Sequence, residues 1–157
     1  MLTAEIVDTK KKTNYERGKD FERKVKELFE KCRGPDGDPR FTNVWHWTDE
    51  WPGRSELAAG RQRKDLGIDL VAQDADDGGL VAIQCKLYQR STTIATPEID
   101  SFISASANPV FGRRILVVTG RLHRDALTKI HDTGNTTILT EIDIRRCRDE
   151  IAGPSGQ

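Results

Sequence analysis

The chain is expected to fold as one α/β domain, a central mixed β-sheet flanked by helices. Three observations predict it. "YERGKDFERKVKELFEKC" spaces Phe21, Val25, Leu28 and Phe29 as one helical face, with charges opposite. "GIDLVAQDADDGGLVAIQCKLY" reads as two apolar strands around a turn. Behind them, helical and strand patterns alternate, giving the order α-β-β-β-α-β-α-β.

The elements follow in chain order. The opening helix is expected to end near Gly34-Pro35, where "GPDGDPR" makes a loop. "FTNVWHWTDEW" alternates enough for a short strand around Val44 to Trp47. "PGRSELAAGRQRKDLG" has many charges and no clear period, so it is a loop with at most one helical turn. The two arms fall roughly at Ile68–Ala72 and Leu80–Leu87, and "DADDGG" supplies the turn. Pro97 opens a helix with Ile99, Phe102 and Ile103 on its apolar side. "RRILVVTG" is a strand of the kind buried on both faces. "LHRDALTKIHD" is a helix, "TTILT" a last strand, and "EIDIRRCRDEI" a closing helical turn.

A length of 157 residues suits one compact domain with a real core. Residues 1–13 are expected to be a flexible leader, 14–151 the domain, and 152–157 a flexible tail or linker to a neighbour. No apolar run approaches the roughly 20 residues that span a bilayer, and no signal peptide is recognised. Cys32, Cys85 and Cys147 lie far apart with no C-x-x-C pair, which argues against zinc and against a disulfide framework. A reducing, cytoplasmic setting is therefore expected. The formal net charge is zero. That weighs against tight autonomous DNA binding, because phosphate contacts supply much of such affinity. It leaves room for a local basic face, or for a module that borrows affinity from neighbours.

The two arms carry the chemistry. Side chains alternate along a strand, so Gln84 and Lys86 share one face while Val81, Ile83 and Leu87 take the other. A turn centred on Asp76-Asp77 places Asp69 nearly opposite Gln84. One carboxylate, one amide and one ammonium then converge. Burying such groups costs several kcal/mol unless they are paired or bind a metal. An oxygen-rich site with one or two carboxylates suits Mg²⁺, which keeps several waters and favours phosphate as co-ligand. A neighbouring lysine can hold the attacking water and neutralise charge building on phosphorus. The chemistry indicated is metal-assisted phosphodiester hydrolysis. The plainer alternative is the solvated polar side of a hairpin.

"GIDLVA" followed by "AIQCK" resembles the D…(D/E/Q)-x-K core of the PD-(D/E)xK nuclease superfamily, in the variant with Gln before x-K. That variant is similar to the Mrr-type restriction endonucleases. "GKDFE" resembles the family's first-helix motif, and "AIQCKLY…TPEIDSFISAS" resembles the N-terminal nuclease domain of Type ISP restriction-modification enzymes and related helicase-nuclease fusions. The resemblance covers roughly residues 15 to 145. It implies a restriction-endonuclease-like fold, double-stranded DNA as substrate, Mg²⁺ as cofactor with Mn²⁺ able to substitute, and helicase and methyltransferase domains in a larger parent chain. It implies Asp69 as main metal ligand, Gln84 as an oxygen donor or positioning group, the Cys85 carbonyl as a further ligand, and Lys86 orienting the water. Glu22 would reach a metal-bound water or a second metal. Gln84 stands where most of the superfamily carries an acid. One negative charge fewer should weaken metal affinity, which fits a nuclease licensed by a partner.

Two other readings stay open: a catalytically silent DNA-binding or docking module of the same fold, and a structure-specific junction nuclease. Arg61, Arg63 and Lys64, in "RQRK" just before Asp69, are candidate DNA-backbone contacts; Arg113-Arg114 and Arg121/Arg124 are weaker ones. Trp45, Trp47 and Trp51 could stack on bases, but alternation favours packing. His46, His123 and His131 have no metal-ligand spacing, and Cys85 is expected to be a small apolar residue facing the core.

Overall fold

The structure is a computed structural model that describes residues 11–58, 67–89 and 92–152. Helix α1 spans Asn14–Lys31. Thr13 caps it: the backbone is extended there and its Oγ1 accepts the amide of Glu16 at 3.1 Å, satisfying one of the first-turn donors. Val25 and Phe29 form the buried face. The helix stops at Cys32, where the chain turns extended, ahead of the Gly-Pro pair.

Five strands form the main sheet: β1 (Phe41–His46), β2 (Leu70–Asp74), β3 (Leu80–Lys86), β5 (Phe111–Val118) and β7 (Thr136–Leu139). They lie in the order β1-β2-β3-β5-β7. β1, β2 and β3 run antiparallel, while β3, β5 and β7 are parallel, so the sheet is mixed, as expected. The parallel half needs helical crossovers, supplied by α3 (Pro97–Ser106) and α4 (Arg124–Thr133). A five-residue helix, α2, spans Arg54–Ala58.

β3 sits at the centre and divides two cores. Val81 and Ile83 join Val25, Phe29, Leu70, Ala72, Ile115 and Val117 on the α1 side. Leu80 and Ala82 join Trp47, Val71, Ile99, Phe102, Leu116 and Ala126 on the α3 and α4 side. Alternation along β3 and β5 assigns each side chain to its layer. Each fully buried Leu, Ile or Phe contributes about 1.5–3 kcal/mol relative to exposure, so these layers fix the register that carries the polar residues at the end of β3.

Two features exceed the pattern. The last segment is a three-turn helix, α5 (Glu141–Ala152), rather than a single turn. Its start is fixed by Asp143, whose Oδ2 accepts both the amide (2.8 Å) and the hydroxyl (3.0 Å) of Thr140. Ile144 packs on the α1-side core, while Ile142 stays exposed, so the apolar face is too thin to be read from spacing. A second, two-stranded sheet pairs β4 (Thr93–Ile94) with β6 (Arg121–Leu122); two-residue strands carry no periodicity. Within the expected leader, Thr13 caps α1. Among the described residues no helix is long and apolar enough to cross a membrane.

Candidate metal and nuclease site

The expected turn sets the expected register. The last regular β2–β3 pair is Leu70 with Ile83, which brings Asp69 beside Gln84. There the ladder changes character. The Asp69 amide donates to Ile83 O at 2.8 Å, its carbonyl accepts from the Trp47 amide at 2.9 Å, and its Oδ2 accepts the Cys85 amide at 2.7 Å. A side chain takes over where backbone pairing ends. Asp69 is thereby pinned from β1 and β3 at once. Gly67 sets up this approach: its φ is +87°, and a Cβ there would lie 2.9 Å from the Phe102 nitrogen. Only glycine combines that backbone conformation with so close a pass over α3.

Asp69 and Glu22 open onto one cavity of about 100 Å³, shared with Lys19, His46, Trp47, Thr48 and Ile68. Glu22 is held by Lys19, Nζ to Oε2 at 3.4 Å. Burial works to lower the pKa of the Lys19 ammonium, but Glu22, then Tyr15 and Asp69, outweigh it and hold the group above its ordinary value. Burial, then the negative charges of Asp69 and Glu22, push the Cys85 thiol well above its usual range. Two residues from different elements thus report the same local excess of negative charge.

The structure brings together Asp69 and Glu22. Gln84 and Lys86 do not line that cavity. By alternation they share the face of Leu80 and Ala82, at the end of β3 adjoining Asp69. Gln84 is 4 % exposed and its Oε1 has no hydrogen-bond partner among the described residues. Such an idle buried oxygen costs about 1–3 kcal/mol. Lys86 is half-buried and, among the described residues, makes no ion pair. Cys85, named above for its carbonyl, meets Asp69 through its amide, and its side chain packs against the α1-side core.

The remaining candidates separate. Arg61, Arg63 and Lys64 lie outside the described residues. Trp47 and Trp51 are buried with ring centroids 5.3 Å apart, and the Trp47 carbonyl accepts from Trp51 Nε1 and Arg54 Nε, each at 3.1 Å. These two rings are packing residues. Arg113 pairs with Asp74 at 2.7 Å, and Arg114 donates to Ser106 Oγ (2.6 Å) and the Gly134 carbonyl (3.2 Å). Arg121 and Arg124 are exposed. His123 caps α4, its Nδ1 accepting the Asp125 amide at 3.1 Å. Sequence reading missed Lys19 and His46 as cavity residues. For Lys19 a signal existed: it precedes Glu22 by three positions and so shares its helical face.

The donor set fits a hard cation. The two carboxylates that line the cavity, Asp69 and Glu22, are ligands of the kind Mg²⁺ takes. Among the described residues, no group of three His, Cys, Asp or Glu side chains could hold an ion unaided. Water and substrate phosphate would have to complete the shell, which is the habit of Mg²⁺.

The family described as "Restriction endonuclease" (Mrr_cat_2) matches residues 34–148. The chain belongs to this restriction endonuclease family. The match contains Asp69, Gln84 and Lys86 and begins after Glu22. No curated protein matches. Among solved structures, "ATP-dependent Type ISP restriction-modification enzyme LlaBIII bound to DNA" is similar with a TM-score of 0.61 at 24 % identity, over 84 % of this chain and 8 % of that one. "DNA modification-dependent restriction endonuclease AspBHI" is similar with a TM-score of 0.51 at 18 % identity, over 82 % of this chain and 30 % of that one. At these identities the likeness establishes the fold, and the chain spans only a small part of each of those proteins.

Proposed function

We propose that this restriction endonuclease domain is a Mg²⁺-dependent DNA endonuclease, with Mn²⁺ able to substitute, serving in the cytoplasm within a larger restriction-modification enzyme. The observation that carries the reading is the cavity shared by Asp69 and Glu22. When bound, Mg²⁺ supplies a Lewis acid and a more acidic water at the scissile phosphodiester. Asp69 is the principal ligand, with its backbone locked on both sides so that little reorganisation is needed. Gln84 donates an oxygen, and the Cys85 carbonyl is a further candidate donor. Glu22 accepts a hydrogen bond from a water in the cavity, or holds a second ion. Lys86 orients the attacking water and offsets charge on the phosphate. Arg61, Arg63 and Lys64, close in sequence to Asp69, contact the DNA backbone.

Helicase and methyltransferase domains of a larger parent chain would deliver double-stranded DNA and compensate for the zero net charge. The test is divalent-dependent nicking of supercoiled plasmid by wild type, Asp69→Ala and Lys86→Ala. The reading requires nicking by wild type and its loss in both variants; equal behaviour of all three defeats it. One observation favours a second reading, a silent DNA-docking module: the neutral Gln84 stands where most of the superfamily carries an acid. DNA retention without nicking, unaffected by Asp69→Ala, would select that reading. A marked preference for four-way junctions would select a junction nuclease.

A further inference from the structure

Cys32 and Cys147 are 115 positions apart in the chain, yet their sulfurs lie 3.8 Å apart. Cys32 is the residue at which α1 ends, and its carbonyl accepts the Arg40 amide at 3.0 Å, which fixes the backbone there. Cys147 lies on α5, one turn beyond Ile144, the residue that packs α5 onto the α1-side core. Both cysteines are partly exposed, so a small oxidant can reach them. Closing the gap to a bond of about 2.05 Å requires the sulfurs to approach by less than roughly 2 Å, within reach of side-chain rotation. The third cysteine offers a contrast, since Cys85 lies on β3 with no sulfur partner among the described residues.

We propose that Cys32 and Cys147 form a reversible dithiol–disulfide modification site that fastens α5 to the helix carrying Glu22. The oxidant is a low-molecular-weight disulfide. The thiolate of one cysteine of the pair attacks one of the oxidant's sulfurs and releases the first small thiol. The other cysteine then loses its proton to solvent, attacks the protein sulfur of that mixed disulfide, and releases the second. Two protein thiols are oxidised by two electrons while one external disulfide is reduced to two thiols. Burial, then the Cys32 neighbour, push the Cys147 thiol up to about 12. In a reducing compartment such a bond is transient and responsive rather than structural.

The experiment equilibrates the purified native protein with oxidised glutathione and maps peptides by mass spectrometry without reduction. The expected product is a Cys32–Cys147 linked peptide pair, two hydrogens lighter than the free peptides, with Cys85 still alkylatable after unfolding. Closing so long a loop should raise Tm by roughly 10 °C, reversed by dithiothreitol and absent in Cys32→Ser and Cys147→Ser. Separate glutathione adducts on the two residues, free thiols at equilibrium, or a bridge to Cys85 would each overturn the proposal. The mapping is read on wild type, so it stands even where a variant folds poorly.

Discussion

An aspartate closes β2 and another immediately precedes it, and they are employed differently. Asp74, at the closed end, is buried against the turn: one oxygen accepts the Asp76 amide at 3.0 Å and the other pairs with Arg113 at 2.7 Å. Asp69, at the other end, spends one oxygen on the Cys85 amide at 2.7 Å and opens onto a cavity that already holds Glu22. One carboxylate is satisfied by its turn and by Arg113 of β5; the other shares a cavity with a second carboxylate. The first arrangement ties the turn to a neighbouring strand, and the second gathers negative charge. Charge in a sheet is thus uninformative until its surroundings are known.

Substitutions can break or sharpen this contrast. Asp69→Asn keeps an oxygen for the Cys85 amide and removes the charge. Plasmid nicking should fall by on the order of 10³, while urea unfolding shifts by less than about 1 kcal/mol. Gln84→Met removes the idle buried oxygen and keeps the volume. Nicking should drop about 10–100-fold, and stability should rise by up to about 1 kcal/mol; a stability loss would mean that the amide already has a structural role. Asp74→Ala should do the reverse of Asp69→Asn: a loss of about 1–3 kcal/mol in urea unfolding, with nicking per folded molecule within about twofold of wild type.

The smallest effect belongs to Lys19. Its pKa is raised in the fold, so its contribution is fully present below the unfolded value of about 10.4 and is lost as pH rises through the folded value. Comparison of wild type with Lys19→Ala by thermal unfolding should give a difference of a few tenths of a kcal/mol, since the side chain is half exposed. It should stay flat from pH 6 to about 9 and shrink only above about 10.

Much of this was legible in the chain because one rule governs it. Alternation in "LVAIQCK" separates Leu80 and Ala82 from Val81 and Ile83, and the two cores honour that separation. The turn at Asp76-Asp77 fixed where Asp69 meets β3. What was not legible depends on three-dimensional closure. The sharing of one cavity by His46 and Lys19 arises from the packing of α1 across the β1–β2 end, which no local pattern encodes. Alternation places Asp69 next to Gln84, and the register agrees, but the capping of the Cys85 amide by the Asp69 carboxylate where the ladder ends has no local signal. The meeting of Cys32 and Cys147 follows from α5, whose sparse apolar face conceals a full helix. Arg113 resembles a phosphate contact in sequence and is an ion-pair partner in the fold.

The central claim, that Asp69 ligates a divalent cation in the cavity it shares with Glu22, is tested most directly by anomalous diffraction from crystals soaked in Mn²⁺. The account predicts the strongest peak in the cavity between these two side chains, in contact with Asp69, and its loss in Asp69→Asn. A peak at Asp74 or elsewhere on the surface, or none at Mn²⁺ concentrations that support nicking, would contradict it.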